Sequence, residues 1–118
     1  MVTSPPEIQD FRFGSIRIDG QRYRSDVIIF PDRVLPNWWR EEGHSLSVGD
    51  LAEVLVAPPR VLVIGCGTSN RLSVPQETKR HLEAQGIRVV IQSTAEACRS
   101  YNRYREKEHV VAALHLTC

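Results

Sequence analysis

Val61-Leu62-Val63-Ile64-Gly65-Cys66-Gly67 decides the fold. Four apolar residues without a polar interruption fit a strand covered on both faces, as in a parallel sheet between helices. The glycines that follow allow a tight exit from that strand. Downstream, Ser73 and Gln76 have the spacing of a capping box, with Pro75 in the first helical turn. That helix is expected to run to about Gln85, where Gly86 supplies the left-handed position. Ile87 to Ile91 reads as the next strand. Thr94 then caps a helix reaching about Glu106, with Ala97, Cys98 and Tyr101 along one side, and His109 to Leu116 is a last apolar strand. Strand–helix–strand alternation of this kind predicts parallel pairing.

Upstream the pattern changes. Ser15-Ile16-Arg17-Ile18 and Gln21-Arg22-Tyr23-Arg24 alternate polar and apolar around Asp19-Gly20, the signature of a type I′ hairpin. Val27 to Phe30 is a more buried strand ended by Pro31. Asp32 to Gly43 reads as a structured loop or a strand-containing excursion. Ser47 is a helix N-cap with Asp50 near the third position, and Pro58-Pro59 ends that element. Residues 1–10 are expected to be a flexible leader and 11–118 a single domain. The whole is a mixed, layered α/β domain: an N-terminal β-hairpin, then parallel β-α-β units in the second half.

The chain has 118 residues, 42% hydrophobic and 25% charged, a globular balance that excludes disorder and a disulfide scaffold. Three widely spaced cysteines (Cys66, Cys98, Cys118) fit reduced thiols and a cytoplasmic location. Met1 to Asp10 lacks the pattern of a secretory signal, and no stretch approaches a membrane span, so an integral membrane protein is not expected. A formal charge of +1 argues against a dedicated binder of nucleic acid or anionic membrane.

Two constellations could carry function. The glycine turn, with Gly65, Cys66, Gly67, Thr68 and Ser69, could present backbone N–H groups to a small anion, with Arg71 adding charge. It does not fit the dinucleotide fingerprint: Asn70 replaces the third glycine, Pro75 delays the helix, and Gln92 stands after the second strand. No cofactor is expected. Cys66 lies where a nucleophile could sit, but no histidine is near it in sequence, so no catalytic residue is assigned. The second constellation is Trp38, Trp39, Arg40, Glu42 and His44, residue types common in interaction hot spots. His115 and Cys118 do not form a metal half-site, because positions three apart on a strand face opposite ways. Arg99 and Arg103 share a helix face offset by Glu96.

Several stretches together resemble a known family. They are Phe13-Gly14-Ser15-Ile16 with Tyr23 and Asp26; Trp39-Arg40 with Glu42-Gly43-His44; Gly65-x-Gly67; Thr94 with Ala97-Cys98 and Tyr101-Asn102; and Leu114 to Cys118. This looks like the MTH-like domain-of-unknown-function family, which includes the adipogenesis-associated domain protein and a mitochondrial complex I assembly factor. The resemblance implies a three-layer α/β fold with a mixed central sheet and no established catalytic residue. It implies a non-enzymatic interaction or assembly role, with a protein partner; the tryptophan pair also makes a homodimer an option. Family members often carry another residue at Cys66 and glycine near Asn70, which weakens a thiol mechanism and makes the turn less able to wrap a phosphate. The alternative reading is a small-molecule or anion-binding protein, or an enzyme, working at the glycine turn.

Overall fold

The computed structural model describes residues 4–118. The chain runs β1 (Ile8–Arg12), β2 (Ser15–Ile18), β3 (Gln21–Tyr23), β4 (Val27–Phe30), β5 (Arg33–Leu35), a 3₁₀ turn (Val48–Leu51) and α1 (Ala52–Val56). It continues through β6 (Val61–Cys66), α2 (Gln76–Ala84), β7 (Arg88–Gln92), α3 (Thr94–Tyr104) and β8 (Val110–His115).

The strands form two sheets. β1, β2 and β3 make a small antiparallel sheet, and the larger sheet has the order β5-β4-β8-β6-β7. β6 pairs in parallel with β7 and with β8, as the alternation of strands and helices predicted, whereas β4 joins β8 antiparallel. Every residue of β6 is buried. Alternate residues of the large sheet feed two cores. On one face Val63, Ala112 and Leu114 pack with Ala97 and Tyr101 of α3 and with Ile16 and Ile18 of the small sheet. On the other, Leu62, Ile64 and Ala113 pack with Leu51, Leu82, Leu46 and Trp38. The result is the three-layer, mixed-sheet α/β domain expected from the sequence.

The Asp19-Gly20 turn carries φ of 46° and 82°, the pair of positive angles a type I′ hairpin needs. Ser47 and Asp50 close their capping box. Three local expectations are corrected. β1 begins at Ile8, inside the expected leader, where Ile8 pairs with Ile18 of β2 and Asn102 of α3 accepts from Ile8 N (3.0 Å) and donates to Ile8 O (2.8 Å). Tyr101 Oη donates to Pro6 O, so the chain before β1 is tied to α3 as well; Met1 to Thr3 of that leader lie outside the described residues. Ser73 and Gln76 form no capping box. The N-cap of α2 is Pro75, and the Ser73 backbone instead pairs with His44 O and Leu46 N. Thr94 is the first residue of α3 and not its cap, because its hydroxyl bonds the end of β8 and the glycine turn.

Candidate functional site

The carboxyl ends of β6 and β8 gather the polar residues of the core. Asp26 immediately precedes β4, and Val27 pairs with Leu114, which sets Asp26 beside His115. On the other side of His115 stands Cys66, its partner in the β6–β8 register. Strand alternation gives these three residues the sheet face that also carries Ile28, Ala113 and Ile64.

Arg40 enters this row from the loop after β5. Its Nη1 donates to Asp26 Oδ2 (2.9 Å) and its Nη2 to Gly43 O (3.3 Å). His115 Nδ1 lies 2.8 Å from the same carboxylate oxygen and 3.0 Å from Arg40 Nη2. A lone pair directed at a carboxylate would be repelled, so we assign the hydrogen to Nδ1, donating to Asp26. Asp26 Oδ1 accepts from Leu116 N (2.8 Å). Only 6% of the Arg40 side chain and 8% of that of His115 are exposed. A carboxylate at that depth needs partners for its charge, and it has three.

The same loop is fastened at other points. Trp38 N donates to Asp26 O, Asn37 N to Ser25 Oγ, and the Trp38 indole Nε1 to Asp50 O (2.9 Å). The Arg40 guanidinium lies 4.7 Å over the Trp38 ring, within cation–π range. Asn37 takes φ of 56°, a conformation asparagine tolerates better than most residues, and this turns the chain into the Trp38-Trp39-Arg40 segment.

The five residues of the aromatic and basic constellation therefore separate. Trp38 is core and Arg40 is a buried brace. Trp39 stands 76% exposed between them, and Glu42 and His44 are exposed on the following turn. The His44 ring meets His115 edge-on, with centroids 6.3 Å apart. Beside Trp39 a groove of about 370 Å³ is lined by Leu35, Pro36, Glu41, Asp50 and Glu53 among others.

The glycine turn reaches the same edge, and four of its amides are engaged within the chain. Gly67 N donates to Thr94 Oγ1, Thr68 N to Thr117 O (2.7 Å), Asn70 N to Gly67 O and Arg71 N to Cys118 O (3.0 Å). Gly67, at φ of 98°, lies so close under this segment that a Cβ would stand 2.5 Å from Cys118 O. This is not the open cradle that the anion-binding expectation for Gly65, Cys66, Gly67, Thr68, Ser69 and Arg71 requires. The glycines serve a close approach of backbone to backbone. Burial pushes the Cys66 thiol up from its ordinary value.

Asp26 and His115 were missed as site residues. Their signal was present: each is a polar residue at the end of an apolar strand run, and a buried polar residue requires a partner.

The family described as a protein of unknown function (DUF498/DUF598) matches residues 8–115. Among solved structures, a conserved hypothetical protein of Pyrococcus horikoshii (PH1505) is 28% identical at a TM-score of 0.80, over 95% of this chain and 99% of that one. The protein MT938 is 26% identical at a TM-score of 0.77, over 96% and 99%. A Bordetella pertussis protein described as a Mth938-like domain shares the fold at 23% identity and a TM-score of 0.69, over 98% and 91%. The MTH-like resemblance expected from the sequence holds.

Proposed function

We propose, for a chain that belongs to the DUF498/DUF598 family of unknown function, a docking role in which Trp39 is the anchoring contact. The observation that carries this reading is the contrast between adjacent residues. Trp38 and Arg40 are buried and bonded, while the indole between them is left in solvent. A large apolar side chain on a fixed loop loses little conformational entropy when a partner covers it, and such residues dominate binding energy at interfaces. The neighbouring groove supports a partner of particular chemistry. Leu35 and Pro36 offer an apolar wall, and Glu41 offers a carboxylate, with Glu53 beside it paired to Arg33 at 3.6 Å. A protein segment presenting an apolar side chain next to a lysine or arginine complements it. Glu42 and His44 on the same exposed turn contribute orientation. This agrees with the assembly role that the family resemblance implies.

The test is affinity capture from the native host with the wild type and Trp39→Ala. The substitution removes an exposed side chain, so the melting temperature is expected to stay within a degree or two. The partners captured by the wild type are expected to be lost. An unchanged set of captured proteins overturns the reading. Arg40→Ala is unsuited to this test because it removes the brace.

A further inference from the structure

The balanced overall charge conceals a segregated one. In the small sheet Ile16 and Ile18 point into the core, and Phe11 and Tyr23 pack against it. Strand alternation then turns the residues between them outward. The register sets these in two rows: Asp10, Arg17 and Arg22 in one, Arg12 and Ser15 in the next. Arg24 follows inward-facing Tyr23 and extends the second row. Four arginines thus share one face with the Asp10 carboxylate, and the exposed Glu7 and Asp19 lie beyond them at the β2–β3 turn. Asp10 bonds Arg12 and Arg22, each at 3.2 Å, and Arg17 and Arg24 have no salt-bridge partner among the described residues. Arg17 and Arg22 are direct cross-strand partners, a like-charge pairing that costs stability in a hairpin. At the tip of the β1–β2 hairpin stands Phe13, 63% exposed. Gly14 N donates to Leu116 O (2.8 Å), which fastens that tip to the body of the protein.

We infer that this face docks on an anionic lipid surface, with the arginines on headgroup phosphates and Phe13 in the interfacial layer. Planar guanidinium groups match phosphate oxygens in pairs. Basic residues near a membrane surface add their attractions, and an apolar side chain at the edge supplies the second contact that stable peripheral binding needs. A sheet face that reads single-stranded nucleic acid carries aromatic side chains on which bases stack. Here the aromatics of the strands, Phe11 and Tyr23, point the other way. The surface lies on the α3 side of the large sheet and Trp39 on the opposite side, so membrane attachment would leave the proposed docking loop accessible.

The experiment is vesicle flotation at low ionic strength, with phosphatidylcholine alone and with phosphatidylcholine plus phosphatidylglycerol. The protein is expected to float only with the anionic vesicles and to be released by salt within the range where screening becomes strong. Arg17→Glu with Arg22→Glu is expected to weaken binding roughly tenfold or more, and Phe13→Ser to weaken it with the salt dependence retained. Arg12→Gln with Arg24→Gln is the second variant pair, so that loss of folding in one pair leaves the question open to the other. No flotation with phosphatidylglycerol overturns the inference, as does equal flotation with neutral vesicles or indifference to both arginine pairs. Binding to a single-stranded oligonucleotide in place of vesicles also overturns it. Because Trp39 is untouched in every variant, the outcome is independent of the docking reading.

Discussion

Asp26 and His115 meet across the β4–β8 ladder, with Oδ2 and Nδ1 2.8 Å apart, and Arg40 closes on the same oxygen from the loop beyond β5. One carboxylate thereby joins the strand register, the end of β8 through Leu116 N, and the loop that presents Trp39. The loop's position follows from a buried charge that has to be matched.

Asp26→Ala is the direct probe of that relationship. It leaves the Arg40 guanidinium buried without its counter-charge and removes the acceptor of Leu116 N. Breaking a buried pair in this way costs about 3–5 kcal/mol. Urea denaturation is expected to show a loss of that size. Asp32→Ala, which removes an exposed partner of Arg33, is expected to stay within about 1 kcal/mol.

Gly67→Ala and Gly20→Ala separate crowding from backbone conformation. Both glycines have positive φ, but a Cβ at Gly20 meets nothing within 4 Å, while at Gly67 it collides with the Cys118 carbonyl. Gly20→Ala is expected to cost about 1–2 kcal/mol, the ordinary left-handed penalty. Gly67→Ala is expected to cost clearly more and to disturb the amide signals of Thr68 and Arg71 in a heteronuclear NMR spectrum.

Alkaline stability is expected to be limited by buried acids. Burial pushes the Cys98 thiol from 9.0 to about 12, with Arg99 opposing weakly, and it raises Cys66 and Tyr101 in the same direction. In the unfolded chain these groups lose their protons at lower pH than in the folded one. The folded state is therefore fully favoured below about pH 9 and loses stability as pH rises toward 12. Denaturation midpoints measured along this range are expected to fall, and in Cys98→Ala to fall less steeply. Cys118, exposed, is expected to be the thiol that reacts with an aromatic disulfide reagent in the native state, with Cys66 and Cys98 joining only on unfolding.

Much of the fold could be read from local chemistry. The run Val61–Ile64, the Asp19-Gly20 turn and Gly86 each satisfy a rule that acts within a few residues, and each took its expected form. The misreadings share a physical cause. Ser73 and Thr94 are good caps by composition, but both have long-range partners, His44 and Leu46 for the first and Gly67 and His115 for the second. The expected leader runs into a strand because its end pairs with β2, and Asn102, 94 residues away, bonds the Ile8 backbone on the other side. The site divided in the same way. An exposed Trp39 and a buried Trp38 are indistinguishable in sequence, and only Asp26 and Asp50, brought in by the fold, assign them opposite roles. The engagement of the glycine turn by Thr117 and Cys118 likewise depends on the parallel β6–β8 register, which sequence spacing does not reveal.

The measurement closest to the central claim is site-specific photo-crosslinking in the native host. A benzophenone amino acid is placed at Trp39 and, as control, at Val56, which is 82% exposed on α1. If the braced loop is the docking element, position 39 yields a discrete adduct with a partner protein that position 56 does not. Adducts that are absent at 39, or identical at the two positions, would contradict the account.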